Sequence, residues 1–155
     1  MAHTHNEIVV QAPLDHVWDR MNDLENWPNL FTEYASLELL ERDGDRTRFR
    51  LTTHPDPDHD GQVWSWVSER TVYPQNYTSC AWRVETGPFE FMKIDWRFEP
   101  VAEGTLMIWK QCFSMRPEAP ADDEQATEYL NRNTRIQMRA VKDRLEGALQ
   151  TPARV

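Results

Sequence analysis

Between residues 34 and 115 the apolar side chains recur at every second position, in runs broken by short turns. Beyond Pro117 and Pro120 the period changes to that of a helix. A two-residue period sends alternate side chains to opposite faces, so each run buries one face and wets the other. The cleanest run is 91–99, where Met92, Ile94, Trp96 and Phe98 share a face against Lys93, Asp95, Arg97 and Glu99. Run 105–115 sets Met107, Trp109, Gln111 and Phe113 against Leu106, Ile108, Lys110 and Cys112. Runs 34–41 and 46–53 flank Asp43-Gly44, a hairpin dipeptide. Runs 62–73 and 78–85 flank Pro74-Gln75-Asn76, and in the latter Cys80, Trp82 and Val84 oppose Ala81, Arg83 and Glu85. A weaker alternation around Ile8 and Val10 predicts a first strand over 4–11.

The other segments read as helices. Pro13 suits a first helical turn, and Leu14, Val17, Trp18 and Met21 recur at helical spacing, so a helix is expected over 13–22. Pro28 prevents its continuation and leaves a second short helix over 24–31. One long helix is expected over about 122–149, with acids at its start and a stripe of Ala126, Leu130, Val141, Leu145 and Ala148. Seven strands joined by tight turns, with one long helix to cover a face, predict an α+β chain built on an antiparallel meander. The length of 155 residues suits one domain over 1–155. Asn133, Thr134 and Gln137 interrupt the helical stripe near its middle. Either the stripe rotates and leaves them at its edge, or the helix crosses a partly solvated cavity.

Seventeen basic against 26 acidic residues give a net charge of −9, which argues against nucleic acid and anionic membrane as partners. No apolar run is long enough for a membrane span, and the N-terminus lacks a secretory pattern. Cys80 and Cys112 read as buried free thiols of a cytoplasmic protein. The loop 55–61 is acidic but lacks calcium-loop spacing, so it reads as solvated. Glycine-rich phosphate loops, a Gly-x-Ser-x-Gly elbow and paired zinc motifs are missing from the sequence.

Seven tryptophans are the compositional anomaly, since each indole N–H wants a partner when buried. Residues 62–70 read Gln-Val-Trp-Ser-Trp-Val-Ser-Glu-Arg, which places Trp64, Trp66, Ser68 and Arg70 on one strand face. An arginine is a misfit there, because guanidinium keeps its proton and is costly to desolvate. Either Arg70 ends the strand in water, stacked on Trp66, or it points into an aromatic-walled cavity and recognises carbonyl oxygens or enolate charge. Tyr34, Glu33, Arg83, Asn133 and Gln137 complete the polar minority of that interior.

Five blocks carry a family resemblance. They are Ala-Pro-x-x-x-Val-Trp-Asp (12–19), Asn-Asp-Leu-Glu-Asn-Trp-Pro-Asn-Leu-Phe-Thr-Glu-Tyr-Ala (22–35), Val-Trp-Ser-Trp-Val-Ser-Glu-Arg (63–70), Arg-Val-Glu-Thr-Gly-Pro-Phe (83–89) and Leu-Asn-x-x-Thr-Arg (130–135). Together they resemble the monodomain aromatase/cyclases of bacterial type II polyketide synthases, above all the tetracenomycin and spore-pigment cyclases of actinomycetes. The resemblance implies the helix-grip, Bet v 1-like/START fold, with seven antiparallel strands curved around the C-terminal helix and enclosing a cavity. It places the catalytic pair at Arg70 and Tyr34. It places an aromatic wall at Trp27, Phe31, Trp64, Trp66 and Trp96 and a second arginine at Arg83, and with Glu33, Met92, Asn133 and Gln137 from the alternation and the polar minority these make the candidate substrate-binding set. Gln137 departs from the pattern, which has an asparagine there, and alters reach more than role.

The implied reaction is regiospecific aldol closure and aromatisation of the first ring of a linear poly-β-ketone. The implied partners are the acyl carrier protein that bears the chain and the ketosynthase complex, with no cofactor and no metal. Arg46, Arg48 and Arg50 share a strand face and are candidates for docking an acidic carrier protein. The alternative is a non-catalytic binder of a hydrophobic ligand on the same fold.

Overall fold

The structure is a computed structural model that describes residues 1–150. The seven alternating runs form β1 (Ala2–Val10), β2 (Tyr34–Asp43), β3 (Arg46–Thr53), β4 (Ser65–Tyr73), β5 (Thr78–Arg83), β6 (Phe89–Val101) and β7 (Gly104–Met115). They make one antiparallel sheet in the order β1-β7-β6-β5-β4-β3-β2. Helix α1 (Leu14–Met21), a short α2 (Trp27–Leu30) and the long α3 (Asp123–Gln150) complete the chain. Five of the six neighbouring pairs join strands consecutive in sequence, and the exception is β1, which pairs with β7 from Ala2↔Phe113 to Val10↔Thr105. Helix α3 lies against β1 and β7 and buries Leu130, Met138, Val141 and Leu145. Among the described residues no helix is long and apolar enough to cross a membrane.

Several expectations shift, each for a local reason. The segment 24–31 is not one helix: a 3₁₀ turn at Leu24–Asn26 precedes α2, and Pro28 sits in the first turn of α2, where its missing N–H costs nothing. Strand β4 begins at Ser65 rather than Gln62, because Gln62 bridges back to Asp56 across a 3₁₀ turn at Pro57–His59. Trp64 is therefore a loop residue, tied by its N–H to Thr53 Oγ1 at 2.9 Å. On β5 the apolar-looking face points outward, with Trp82 49% and Val84 47% exposed, while Ser79, Ala81 and Arg83 face in. Cys80 and Cys112 are free thiols but only half-buried. Ala148 is exposed, and Met138 fills the helical stripe instead.

The β6–β7 turn is the tightest steric point. Gly104 has φ +145°, and a Cβ there would stand 2.3 Å from the Val10 carbonyl oxygen. The closeness follows from β1 ending directly against the start of β7. Gly104→Ala is expected to destabilise the fold by about 1–3 kcal/mol, from backbone strain and displacement of Val10. Chemical denaturation measures it, and an unchanged midpoint would show that the β1 end yields freely.

Candidate functional site

Strand β4 presents Trp66, Ser68 and Arg70 to the interior, all buried. Arg70 stands opposite Thr47 on β3 and Ala81 on β5, and these small neighbours leave room for a guanidinium. Its Nη2 donates to Asn22 Oδ1 at 2.6 Å, and its guanidinium lies 5.5 Å from the Trp27 ring centre. Asn22 is the C-cap residue of α1, and its Nδ2 donates to the Trp18 carbonyl at 2.8 Å. That bond aims Oδ1 at the arginine. Arg70 Nε is buried without a hydrogen-bond partner. Burial pulls the guanidinium down to a pKa of about 10, so it stays cationic at neutral pH.

A second arginine repeats the arrangement. Arg83 pairs with Ser68 in register, and its guanidinium sits 4.2 Å from the Trp66 ring and 5.1 Å from Phe89. The residue is part-buried, but its Nε is buried and unpartnered. Burial lowers its pKa to about 10, against the fields of Tyr34 and Glu33. Neither arginine has an ion-paired carboxylate among the described residues.

Tyr34 lies between the two. Its ring stacks on Trp27 at 6.1 Å and meets Trp66 edge-on at 6.2 Å and Phe31 at 5.0 Å. Burial, then the Glu33 charge, raise its pKa far above the ordinary phenol value, so it is a neutral donor. Glu33 accepts from Asn133 Nδ2 at 3.0 Å, and burial raises its pKa despite that bond and the Arg83 charge.

The three polar residues that interrupt the α3 stripe are all bonded. Gln137 Oε1 accepts from Thr32 N at 3.0 Å, and its Nε2 donates to Thr32 Oγ1 at 2.9 Å. Thr134 Oγ1 donates to Gln111 Oε1 at 3.4 Å, beside the Thr4 hydroxyl at 2.7 Å. Thr134 and Gln137 lie within the buried stripe rather than at its edge, and they clip α3 to β7 and to residues 32–33.

The sequence-predicted residues thus fall into groups. Glu33, Tyr34, Trp66, Arg83, Asn133 and Gln137 gather near one another, and Arg70 and Trp27 adjoin them across the Tyr34 ring. Trp96 belongs to the same apolar cluster but stacks on Trp109 at 4.3 Å and on Phe98 at 5.9 Å, with Phe31 reaching Trp109 edge-on at 6.1 Å. Met92 belongs to a separate cluster with Phe89, Phe113, Ala126 and Leu130. Trp64 is half-buried and meets His59 edge-on at 6.1 Å. Aromatic side chains crowd the space between sheet and helix, and two shallow concavities lie on the surface elsewhere. One is bounded by Met115–Pro117, Ala119 and Ala121–Asp123, the other by Glu69, Thr71, Tyr73, Cys80 and Trp82.

Sequence reasoning missed Asn22, Trp109 and a cluster over the helix. Trp109 Nε1 is a further buried donor without a partner. The acidic loop is not simply solvated, because Asp56 Oδ2 accepts from His59 Nδ1 at 2.8 Å and from Tyr129 OH at 3.4 Å. Burial opposes the Asp56 charge, but the bonds from His59 and the Asp58 N–H outweigh it and hold its pKa below the ordinary value. The signal for Asn22 was its place just past the last apolar residue of α1, a capping position.

Glu33 yields a pH prediction. Its folded-state pKa is raised, so folding favours the neutral acid. That contribution is full below the ordinary glutamate range and is lost as pH rises through the folded-state pKa. Glu33→Gln keeps an acceptor for Asn133. It is expected to melt above the wild type at neutral pH and to converge with it as pH falls into the ordinary glutamate range. A melting difference that does not change with pH would remove Glu33 from the list of desolvated groups.

Comparison with known proteins places the chain. Residues 1–146 match the family described as polyketide cyclase/dehydrase and lipid transport. A candidate polyketide cyclase of Streptomyces cyaneus is 54% identical over 144 residues, 93% of each chain. Another, of Streptomyces halstedii, is 64% identical over 107 residues, covering 69% of this chain and 96% of the relative. The crystal structure of the Zhui aromatase/cyclase from Streptomyces sp. R1128 superposes with a TM-score of 0.85 over 99% of each chain, at 20% identity, which shows the shared helix-grip architecture. This chain belongs to the polyketide cyclase/dehydrase and lipid transport family.

Proposed function

We propose that the chain acts as a single-domain aromatase/cyclase of a type II polyketide synthase that makes an aromatic polyketide such as a spore pigment. It closes the first ring of a poly-β-ketone held on an acyl carrier protein, which the ketosynthase complex has extended, and then dehydrates that ring to an aromatic one. The observation behind this reading is the pair of enclosed guanidiniums, Arg70 and Arg83, each against a tryptophan face and each with an unpartnered Nε. A cation withdrawn from water without a carboxylate is costly unless oxygens of a ligand reach it.

The chemistry follows from what each group can do. A polyketone has many carbonyls and many acidic methylene groups, so the problem is choosing one closure. Flat faces at Trp27, Trp66 and Tyr34 hold one folded conformer and raise the effective concentration of one carbon–carbonyl pair. Loss of a methylene proton gives an enolate, and its attack on a carbonyl gives an alkoxide. Arg70 stabilises that charge, and a water-poor interior strengthens the effect. Tyr34, held neutral, gives the alkoxide a proton, and the proton lost from carbon passes through water to the resulting phenolate, so that the net transfer is from carbon to oxygen. Loss of one water then yields the double bond that aromatises the ring. Entry of the chain parts the rings that now pack Trp27, Tyr34 and Trp66 together.

The family description also names lipid transport, so non-catalytic binding of a hydrophobic ligand is the competing reading. Reconstitution with a minimal polyketide synthase separates them, since only a cyclase changes the first-ring product.

In that assay Arg70→Ala is expected to lose about 10²–10³ in correctly cyclised product while keeping its fold. Arg70→Lys is expected to recover only part, because a point charge lacks the planar fork that engages two oxygens. Tyr34→Phe is expected to lose less if water replaces the phenol, and Trp66→Ala to raise misfolded shunt products before turnover falls. Normal cyclisation by an Arg70→Ala protein that unfolds earlier would make Arg70 structural and end its catalytic assignment.

A further inference from the structure

The longest basic segment of this acidic chain lies on α3. Residues 132–144 contain five basic side chains and one acidic, in a protein of net charge −9. Arg132, Arg135, Ile136 and Arg139 fall at i, i+3, i+4 and i+7 and so form one stripe of α3, directly opposite the buried stripe of Leu130, Thr134, Val141 and Leu145. Ile136 is 56% exposed in the middle of it. Arg132, Arg135 and Arg139 make no ion pair among the described residues. Arg135 Nε reaches only Asn6 Oδ1 at 3.2 Å, and Arg132 lies over the Tyr129 ring at 5.7 Å. Glu128 and Asp143 mark the two ends of the stripe. The helix macrodipole does not account for these arginines, since its field is confined to the first and last turns and they lie mid-helix.

The basic side chains of β3, by contrast, are taken up. Arg46 and Arg48 both reach Glu69, at 3.0 and 2.7 Å, and Arg50 reaches Glu85 at 2.9 Å. The β3 arginines expected to dock a carrier are therefore already paired with carboxylates.

The α3 stripe also has a telling position. Beside it runs the seam where the helix meets the rest of the fold: Tyr129 to Asp56, Asn133 to Glu33, and Arg144 Nη1 to the Asn29 carbonyl at 2.7 Å. Glu33 sits in that seam and feels the charge of Arg83 in the interior. A protein seated on the stripe stands next to the polar cluster.

We propose that Arg132, Ile136 and Arg139 form the docking surface for an acidic acyl carrier protein, with carboxylates of the partner on the arginines and an apolar side chain on Ile136. This inference rests on the polyketide cyclase reading above and adds the partner's place to it. Charge complementarity favours a protein over an anionic membrane, because a chain of net −9 with one exposed isoleucine offers a lipid surface little to hold.

The test titrates the full chain with a holo-acyl carrier protein of an actinomycete type II synthase, in low and high salt. Arg132→Glu/Arg139→Glu is expected to weaken binding by at least ~10-fold and to flatten its salt dependence. Arg132→Gln/Arg139→Gln is expected to weaken it less, and Arg46→Glu/Arg48→Glu to leave it near wild type. Thermal melts confirm that each variant is folded. Wild-type affinity in the folded double-Glu or double-Gln variant would overturn the surface, as would an absence of carrier binding by the wild type. Patch-dependent capture on phosphatidylglycerol vesicles with carrier affinity unmoved would overturn it in favour of a lipid. Reconstituted cyclisation is read in parallel. Wild-type cyclisation with patch-independent carrier binding removes the surface alone, whereas patch-dependent binding without cyclisation removes the catalytic reading alone.

Discussion

Two guanidiniums drawn out of water set the terms for everything around them. Arg70 and Arg83 are carried inward by neighbouring antiparallel strands, and each is met by a tryptophan face rather than a carboxylate. A carboxylate would have neutralised the charge and left nothing for a ligand. An aromatic face attracts the cation weakly, by its quadrupole, and leaves the guanidinium edge free to bond. The same burial holds Tyr34 neutral and raises the pKa of Glu33, so the interior keeps positive charge beside a phenolic proton donor. That is the polarity an enolate or alkoxide needs.

The rest of the molecule keeps those groups in place. Gln137, Thr134 and Asn133 fasten the long helix to residues 32–33 and to β7 through side-chain bonds, where a purely apolar helix could slide. Asn22 shows the same economy on a smaller scale: one amide closes the end of α1 and, through its other atom, fixes Arg70. Shortening or charging that amide would loosen both at once.

Much of this was legible in the sequence, because a two-residue period leaves little freedom. Met92, Trp96 and Phe98 could only be the buried face of β6, and β3 runs over the residues its alternation marks. Arg70 was visible as the wrong residue in the right pattern. The reading failed where partners distant in sequence decide the outcome. Trp64 alternates perfectly with Trp66, yet the Asp56–Gln62 bridge holds it in a loop. The β5 faces were beyond reach of hydrophobicity alone, since Trp82 faces water and Arg83 faces in, over Trp66. Asn22 reads as an ordinary helix cap until β4, 48 residues on, arrives beside it.

The pairing of β1 with β7 has a consequence for how the chain is made. Strands β3 to β7 each pair with the strand made just before, so each has a partner available as soon as it is synthesised. The first nine-residue strand has no such neighbour and stays solvent-exposed until residues 105–113 exist. Helix α3, which rests mainly on β1, comes later still. Docking of β1 therefore covers the β7 edge, and it also completes the surface on which the apolar stripe of the helix rests. Long loop closure makes that step slow. Between synthesis and closure, β7 offers an open strand edge to any neighbouring chain.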